Sequence, residues 1–294
     1  MSEAALQPAA ARRPHAPGWD DEFAPNELTF MQKVRGYVRL TAFVLLTLFA
    51  IPFQWVLVKL KLPGRKAIPF RFHRVVCWIL GLRVKVTGAI EPGGGVLIAS
   101  NHISWLDIVT ISSVGPISLI AKKQVDTWPF FGLLARLQET VYVERERRAK
   151  TAEQRDVIKE RLGAGDNIVL FPEGTSSDGN RVLPFKSALL SAAEGKIKDG
   201  KGGEKAIRVQ PMSVAYTKIQ GLPMNREYRP FVAWYGDMDL VPHLWELFRI
   251  GPIDCEITLY PSMTVEEVGG RKALTQKCEA IISASLARSL AGRG

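Results

Sequence analysis

Cysteine and histidine are scarce in this sequence, which contains three cysteines and four histidines among 294 residues. Cys77, Cys255 and Cys278 are widely spaced, and two of them lie in apolar patterns. Such spacing excludes a disulfide framework and a cysteine-based metal site, and it predicts reduced core thiols in a domain that faces the cytosol. We expect the protein to use no metal and no other cofactor.

Acidic residues are also in deficit, with 29 against 39 basic residues, and the formal net charge is +10. A basic protein favours an anionic partner, either nucleic acid or a membrane surface. The sequence has no recognised nucleic-acid-binding motif and no basic helix with base-reading residues, so nucleic acid is not expected as a partner. The hydrophobic content of 47% and one long apolar segment favour the surface of a bilayer.

That segment occupies residues 40–60, too far along the chain and without the cleavage site expected of a secretory signal peptide. About 20 apolar residues are enough to span a bilayer core. Pro52 interrupts the segment and basic residues flank both sides, so we favour a re-entrant or obliquely buried helix with both ends in the cytosol over a true span. Residues 68–82 have amphipathic helical spacing, which fits either an interfacial helix or a core helix covering a sheet.

The chain divides into three predicted parts. Residues 1–27 form a disordered lead, residues 28–82 a membrane-associated helical segment, and residues 83–294 a catalytic domain that ends in a helix. In the third part, short apolar runs alternate with helical patterns, which is typical of an α/β fold. The predicted strands are 84–87, 96–100, 118–121, 141–143, 168–171, 208–216, 231–235 and 255–260, and the predicted helices are 105–113, 128–137, 149–163, 187–198 and 271–290.

A histidine and a carboxylate, His102 and Asp107, follow directly after the apolar run 96–99. On one continuous helix, positions five apart lie about 140° around the axis, so these side chains can meet only if the chain turns between them. Asp107 would then hold one ring nitrogen and leave the other free to take a proton from a hydroxyl. In the alternative interpretation, Asn101 or Ser104 caps the helix and His102 is an ordinary loop residue.

A second polar motif, residues 171–179, also follows directly after an apolar run. With residues 101–107, it makes the chain resemble the glycerolipid acyltransferases, the family that includes 1-acylglycerol-3-phosphate acyltransferase. The resemblance covers about residues 75–265; residues 128–132 leading to 143–145 are similar to the second motif of the family, and residues 209–212 to its fourth. It implies a central mixed sheet flanked by helices, with an N-terminal membrane-embedded or interfacial helical segment.

The resemblance also implies a reaction. His102, oriented by Asp107, would activate the hydroxyl of a membrane lyso-lipid, which attacks an acyl thioester of acyl carrier protein or coenzyme A. Backbone amides at the start of the following helix would stabilise the oxyanion. No covalent acyl-enzyme is required, because neither a cysteine nor a nucleophile-elbow motif accompanies the histidine. Such an enzyme would work at the cytosolic face of a membrane, the bacterial inner membrane in our interpretation.

Acceptor binding is implied for Glu173, Gly174, Thr175 and Arg145, which match positions of the family linked to the acceptor; a tight turn and a solvated charge run are the alternatives. Lys122 or Lys123 could also meet an anionic headgroup or the donor's phosphopantetheine.

One departure bears on the acceptor. The lysophosphatidate enzymes usually carry arginine where this sequence has Ser176, and residues 176–181 are similar to the bacterial enzymes that acylate lyso-ornithine lipid. We therefore favour lyso-ornithine lipid. Lysophosphatidate is the alternative, since Arg181 or Arg145 could supply a phosphate contact. An inactive membrane lipid-binding protein is the less favoured hypothesis.

Overall fold

The computed structural model describes residues 30–143, 151–198 and 203–292. The predicted lead and Arg145 lie outside these ranges. The helices are α1 (Phe30–Lys59), α2 (Ala67–Leu80), α3 (Leu106–Ser112), α4 (Phe131–Leu137), α5 (Thr151–Gly163), α6 (Leu240–Arg249) and α7 (Arg271–Leu290). The strands are β1 (Leu82–Thr87), β2 (Val96–Ser100), β3 (Ser118–Lys122), β4 (Val141–Val143), β5 (Ile168–Leu170), β6 (Lys196–Lys198), β7 (Glu204–Ala206), β8 (Arg208–Ile219), β9 (Leu222–Pro223) and β10 (Ile253–Leu259).

Within the described residues, the main sheet has eight strands, in the order β1, β10, β8, β2, β5, β3, β4, with β9 paired to β8. Strands β8, β2, β5, β3 and β4 pair in parallel, whereas β10 is antiparallel to β8. The predicted mixed sheet is therefore confirmed. Because β2 and β5 are parallel neighbours, the loops that follow them meet at the same edge of the sheet.

Both faces of the sheet are covered by helices, so β2 is buried along its whole length. Val96 and Ile98 point into a core shared with α2, α3 and α6. The alternate residues, Leu97 and Ala99, point into a second core shared with α5 and α7. This period of two explains why a central strand reads as a continuous apolar run, with no polar face.

Helix α2 covers the sheet as a core helix. Val76, Cys77 and Leu80 lie in the same core as β2, while Trp78 on the opposite side of the helix is largely exposed. The helical segment and the sheet thus share one core. The domain boundary between residues 82 and 83 stays a prediction. The residues on its two sides pack in one core.

Helix α1 is continuous over 30 residues in spite of Pro52, and it is long and apolar enough to cross a membrane. It is anchored to the rest of the protein near both ends. Arg35 Nε donates to the carbonyl of Arg249 at 2.7 Å, and Gln54 Nε2 donates to that of Leu137 at 2.7 Å. Large apolar side chains remain exposed along it, at Leu45, Leu48, Phe49 and Phe53.

Two predicted elements are wrong, and one helix was missed. Residues 231–235 do not form a strand; a 3-10 helix, Arg229–Phe231, leads into a buried loop. Residues 187–198 form a 3-10 helix, Ser187–Ala193, and then β6, because Gly195 adopts a positive φ of 88° and breaks the helical path. Helix α6 was not predicted. Its Pro242 lies in the first turn, where a helix tolerates proline.

Candidate active site

His102 and Asp107 meet, as the predicted turn between them requires. Nδ1 of His102 lies 2.7 Å from Oδ2 of Asp107. Asp107 is in the first turn of α3 and its side chain is fully buried, whereas the His102 side chain is 21% exposed. Because an ionised carboxylate can only accept, Nδ1 carries the proton and donates it to the hydrogen bond. The neutral ring then has an unprotonated Nε2, which can accept a proton.

Asp107 is held by three further donors. Its Oδ2 accepts from the backbone N–H groups of Ile103 at 2.6 Å and Ser104 at 3.0 Å, and its Oδ1 accepts from the Tyr216 hydroxyl at 2.8 Å. Burial and the nearby Asp107 charge raise the pKa of Tyr216 well above its usual value, so the hydroxyl keeps its proton. Together with the ring nitrogen of His102, these donors fix Asp107 in one orientation.

These contacts add one residue to the site. The amides of Ile103 and Ser104, just before α3, donate to Asp107; the expectation that amides at the start of the helix stabilise an oxyanion stays a prediction. Tyr216 was missed. It lies on β8, 109 residues from Asp107, and no motif in the sequence marks it.

Residues of the second motif contact both the ring and the backbone of His102. The ring of Phe171 stacks on the His102 ring, with centroids 4.1 Å apart and an interplanar angle of 16°. The backbone N–H of His102 donates to Oε1 of Glu173 at 2.8 Å, and the His102 carbonyl accepts from the Ser177 N–H at 2.8 Å. The ring and the backbone of His102 are thus both positioned by residues 171–177.

Glu173 joins the two motif loops. Only 1% of the residue is exposed, and its second oxygen accepts from the Leu183 N–H at 2.9 Å. Burial raises the pKa of Glu173 to about 8, although the N–H groups of His102 and Leu183 stabilise the charged form. Both carboxylate oxygens are thus engaged by backbone groups, so a direct contact between Glu173 and the acceptor stays a prediction.

The raised pKa of Glu173 predicts a pH-dependent stability. Between its ordinary pKa of 4.5 and about 8, the folded protein holds a proton that the unfolded chain releases. The contribution of this proton is complete below about pH 4.5 and is lost as the pH rises through about 8. Compared with Glu173→Gln, which does not titrate, the wild type should lose roughly 2 to 5 kcal/mol of unfolding free energy between about pH 5 and pH 9.

Urea unfolding in detergent at several pH values measures this difference. The exposed Glu227→Gln variant is the matched control and should keep a constant offset from the wild type. A constant offset for Glu173→Gln as well would contradict the prediction.

An apolar cavity of about 610 Å³ opens beside His102. At this end it is lined by Phe171 and by Gly174, Thr175 and Ser176 of the second motif. The rest of its wall comes from mainly apolar side chains of α1, α2, α4 and β3: Phe43, Ile51, Phe72, Val76, Leu119, Ile120, Leu134 and Leu137. The cavity has the size and lining to hold an aliphatic chain with one end at His102.

The other residues predicted to bind the acceptor or the donor have separate surroundings in the structure. The Ser176 hydroxyl donates to the carbonyl of Trp234 at 2.5 Å, and both residues line the cavity. Gly174 has a φ of 78°, which favours glycine in this turn. Lys122 lines the cavity, whereas Lys123 is paired with Asp126.

Arg181 is exposed and is not part of the cavity lining. No group of three or more metal-ligating side chains occurs in the described ranges. With His102 paired to Asp107 beside the apolar cavity, the arrangement can remove a proton from a hydroxyl next to an aliphatic chain.

Comparisons with known proteins show which proteins the chain is similar to. The acyltransferase family matches residues 83–215, which include both motif loops. The chain is 45% identical over 260 residues to a lyso-ornithine lipid O-acyltransferase of Brucella abortus, covering 88% of this chain and 97% of that protein. It is 32% identical over 199 residues to a 1-acyl-sn-glycerol-3-phosphate acyltransferase of Neisseria gonorrhoeae, covering 68% of this chain and 72% of that protein.

A solved structure shares the fold. The crystal structure of a 1-acyl-sn-glycerophosphate acyltransferase from Thermotoga maritima matches with a TM-score of 0.60 and 20% sequence identity, over 87% of this chain and 97% of that chain. The acyltransferase fold implied by the sequence motifs is thereby confirmed. With its relatives aligned over most of their length, this chain belongs to the acyltransferase family.

Proposed function

We propose that the protein moves a fatty acyl group from a thioester to the free hydroxyl of a membrane lyso-lipid. The observation that carries this proposal is the His102–Asp107 pair, whose histidine lines an apolar cavity of about 610 Å³. His102 Nε2 takes the proton of the acceptor hydroxyl, and the hydroxyl oxygen attacks the thioester carbonyl. The tetrahedral intermediate then breaks its C–S bond and expels the thiolate, which takes the proton back from His102, so no acyl-enzyme forms.

The acceptor we favour is lyso-ornithine lipid. Two proteins named lyso-ornithine lipid O-acyltransferase, from Brucella abortus and Rhizobium meliloti, are 45% and 40% identical to this chain. Ser176, which lines the cavity, has no charge to pair with a phosphate monoester. Lysophosphatidate is the second candidate, favoured by the Neisseria relatives. We propose headgroup contacts for Arg181 and Arg145, and also for Glu173, Gly174 and Thr175.

The donor we propose is an acyl thioester of acyl carrier protein or of coenzyme A. Both carriers are anionic, and the protein carries a formal net charge of +10. The reaction itself requires no cofactor, because His102 supplies the base and the thioester supplies the activated acyl group.

We further propose that the protein works on the cytosolic face of a membrane, the bacterial inner membrane. The exposed apolar side chains of α1 suit contact with lipid. Near its start, Arg39 NH1 donates to the carbonyl of Ile250 at 2.6 Å, and Gln54, 15 residues later, donates to Leu137. The two anchors are about 22 Å apart along α1, and both bind the catalytic domain. They support a helix that lies along this domain and does not cross the bilayer.

A competition assay tests the function. Purified protein in mixed micelles receives a labelled acyl carrier protein thioester, with lysophosphatidate and lyso-ornithine lipid at equal concentration. We expect both acyl transfer and a faster rate for lyso-ornithine lipid. Faster transfer to lysophosphatidate would overturn the acceptor assignment. The assay is repeated with the coenzyme A thioester, and an absence of transfer from both donors would overturn the proposed acyltransferase activity.

Ser176→Arg should shift the acceptor preference towards lysophosphatidate. The guanidinium would gain a charged, bidentate partner in the phosphate, which contributes about 1.5 to 3 kcal/mol and should change the ratio of the two rates by roughly tenfold or more. The variant also loses the hydrogen bond to the Trp234 carbonyl. Ser176→Ala loses that bond without adding charge and is therefore the matched control. An equal change of both rates in the two variants would show that Ser176 acts only through the loop.

A further inference from the structure

The hydrogen bonds of Asp107 are divided unequally between its two oxygens. Oδ2 accepts from His102 Nδ1 at 2.7 Å and from the N–H groups of Ile103 and Ser104 at 2.6 and 3.0 Å. Among the described residues, Oδ1 accepts from the Tyr216 hydroxyl alone, at 2.8 Å. The three donors on Oδ2 are enough to orient the carboxylate, so the contact with Tyr216 has a further role.

The surroundings of Asp107 offer Oδ1 no second donor. Asp107 is fully buried, and its one ion-pair partner in the described ranges is His102, on the other oxygen. The further contact of the Tyr216 hydroxyl is a long one, to the Thr110 hydroxyl at 3.5 Å. Burial, and then the charge of Asp107, raises the pKa of the Cys255 thiol well above its usual value, so this neighbour stays neutral. Tyr216 thus makes the difference between a paired and an unpaired buried carboxylate oxygen.

Strand β8 is fixed to the catalytic turn close to Tyr216. It pairs in parallel with β2, and the side chain of Asn101, next to His102, continues this pairing. Asn101 Nδ2 donates to the Val214 carbonyl at 2.9 Å, and Asn101 Oδ1 accepts from the Val214 N–H at 2.8 Å. Tyr216 lies two residues further along β8, so its side chain is on the same face as that of Val214. The hydroxyl of Tyr216, a residue that is only 3% exposed, is thereby held at Asp107.

We propose that Tyr216 is a positioning residue for acyl transfer, whose hydroxyl stabilises the charged carboxylate of Asp107 opposite His102. This inference rests on the proposed function. When His102 Nε2 takes the proton of the acceptor hydroxyl, the ring becomes an imidazolium, and the charge of Asp107 balances it. Without the Tyr216 hydroxyl, Oδ1 would be a buried charged oxygen with no donor, and a proton on that oxygen is the least costly remedy. The neutral carboxyl group would then leave the imidazolium without its opposite charge.

Tyr216→Phe removes only the hydroxyl oxygen and tests the inference. We expect kcat for transfer to a lyso-lipid to fall by about tenfold. KM for the lyso-lipid should stay within about twofold of the wild type, since Tyr216 is not part of the cavity lining. Rates are expressed per folded molecule, with the folded fraction taken from thermal unfolding of the same preparation. Tyr260→Phe is the matched control, because the Tyr260 hydroxyl accepts from Arg288 at 2.7 Å; it should keep the wild-type kcat.

A double-mutant cycle with Asp107→Asn distinguishes stabilisation of the charge from packing. Because asparagine carries no charge, removal of the Tyr216 hydroxyl in the Asp107→Asn background should change kcat by less than about threefold. A purely structural role of the hydroxyl would instead lower kcat by the same factor in both backgrounds. Equal factors, or a wild-type kcat in Tyr216→Phe alone, would overturn the inference.

The two hypotheses fail in different ways. A wild-type protein that transfers no acyl group to a lyso-lipid would overturn the proposed function. An active wild type with an equally fast Tyr216→Phe variant would overturn only the role of Tyr216. A Tyr216→Phe protein that cannot fold would assign the hydroxyl to the stability of the fold, and this result too would contradict the inference.

Discussion

Purified His102→Ala protein is expected to lose acyl transfer by about 10²- to 10⁴-fold, the usual range for removal of a general base. The fold should persist. The contacts of His102 with Glu173 and Ser177 are made by its backbone, which alanine keeps. The lost stacking on Phe171 should lower the melting temperature by only a few degrees. Initial rates on a lyso-lipid and thermal unfolding of the same preparation measure the two effects.

His243 offers a matched control for this substitution. It is also buried, and its ring accepts a hydrogen bond from Trp105 Nε1 at 3.0 Å. His243→Gln should reduce stability while the folded fraction keeps its turnover, since no carboxylate pairs with this histidine among the described residues. Wild-type turnover by His102→Ala would refute the proposed mechanism.

Asp107→Asn is expected to lower the rate by about 10²-fold with only a modest loss of stability. The asparagine oxygen can take the place of Oδ2 and accept from His102, Ile103 and Ser104 as before. Its NH₂ group then faces Tyr216, whose hydroxyl can rotate and accept. The tautomer of His102 is kept, and what is lost is the negative charge opposite the imidazolium that forms in the transition state.

Asp107→Ala separates charge from structure. It leaves the N–H groups of Ile103 and Ser104 buried without this acceptor, at about 1 to 3 kcal/mol each, and the Tyr216 hydroxyl with only its long contact to the Thr110 hydroxyl at 3.5 Å. We therefore expect it to be much less stable than Asp107→Asn. Melting temperatures and kcat for both variants provide the comparison; equal instability, or an unchanged kcat for Asp107→Asn, would contradict this account of the carboxylate.

The pairing of His102 with Asp107 could be predicted from the sequence because it is local. A buried strand, a spacing of five and the start of a helix leave few ways for two polar side chains to meet. Tyr216 could not be predicted in the same way. It stands in an apolar strand where a tyrosine is typical of β-structure, and only the pairing of β8 beside β2 brings its hydroxyl to Asp107.

The errors in the fold have similar causes. Residues 231–235 have the aromatic and β-branched composition of a strand. In the structure, the Trp234 N–H donates to the Ile103 carbonyl at 2.9 Å, and the segment is held as a buried loop beside the catalytic turn. A long-range contact has overridden local preference. The central strands β2 and β5 were predicted well because burial on both faces leaves little choice of residue type.

The carboxylate of Glu173 also limits how this protein could diverge. Because it fixes the backbone of His102, a lineage that altered residue 173 to suit a new headgroup would loosen the base in the same step. Thr175 and Ser176 line the cavity, and their side chains take no part in the hydrogen bonds of Glu173 with the backbone of His102 and Leu183. Under the proposed function, a change of acceptor preference should therefore arise through substitutions at positions 175 and 176, which leave the position of His102 unchanged.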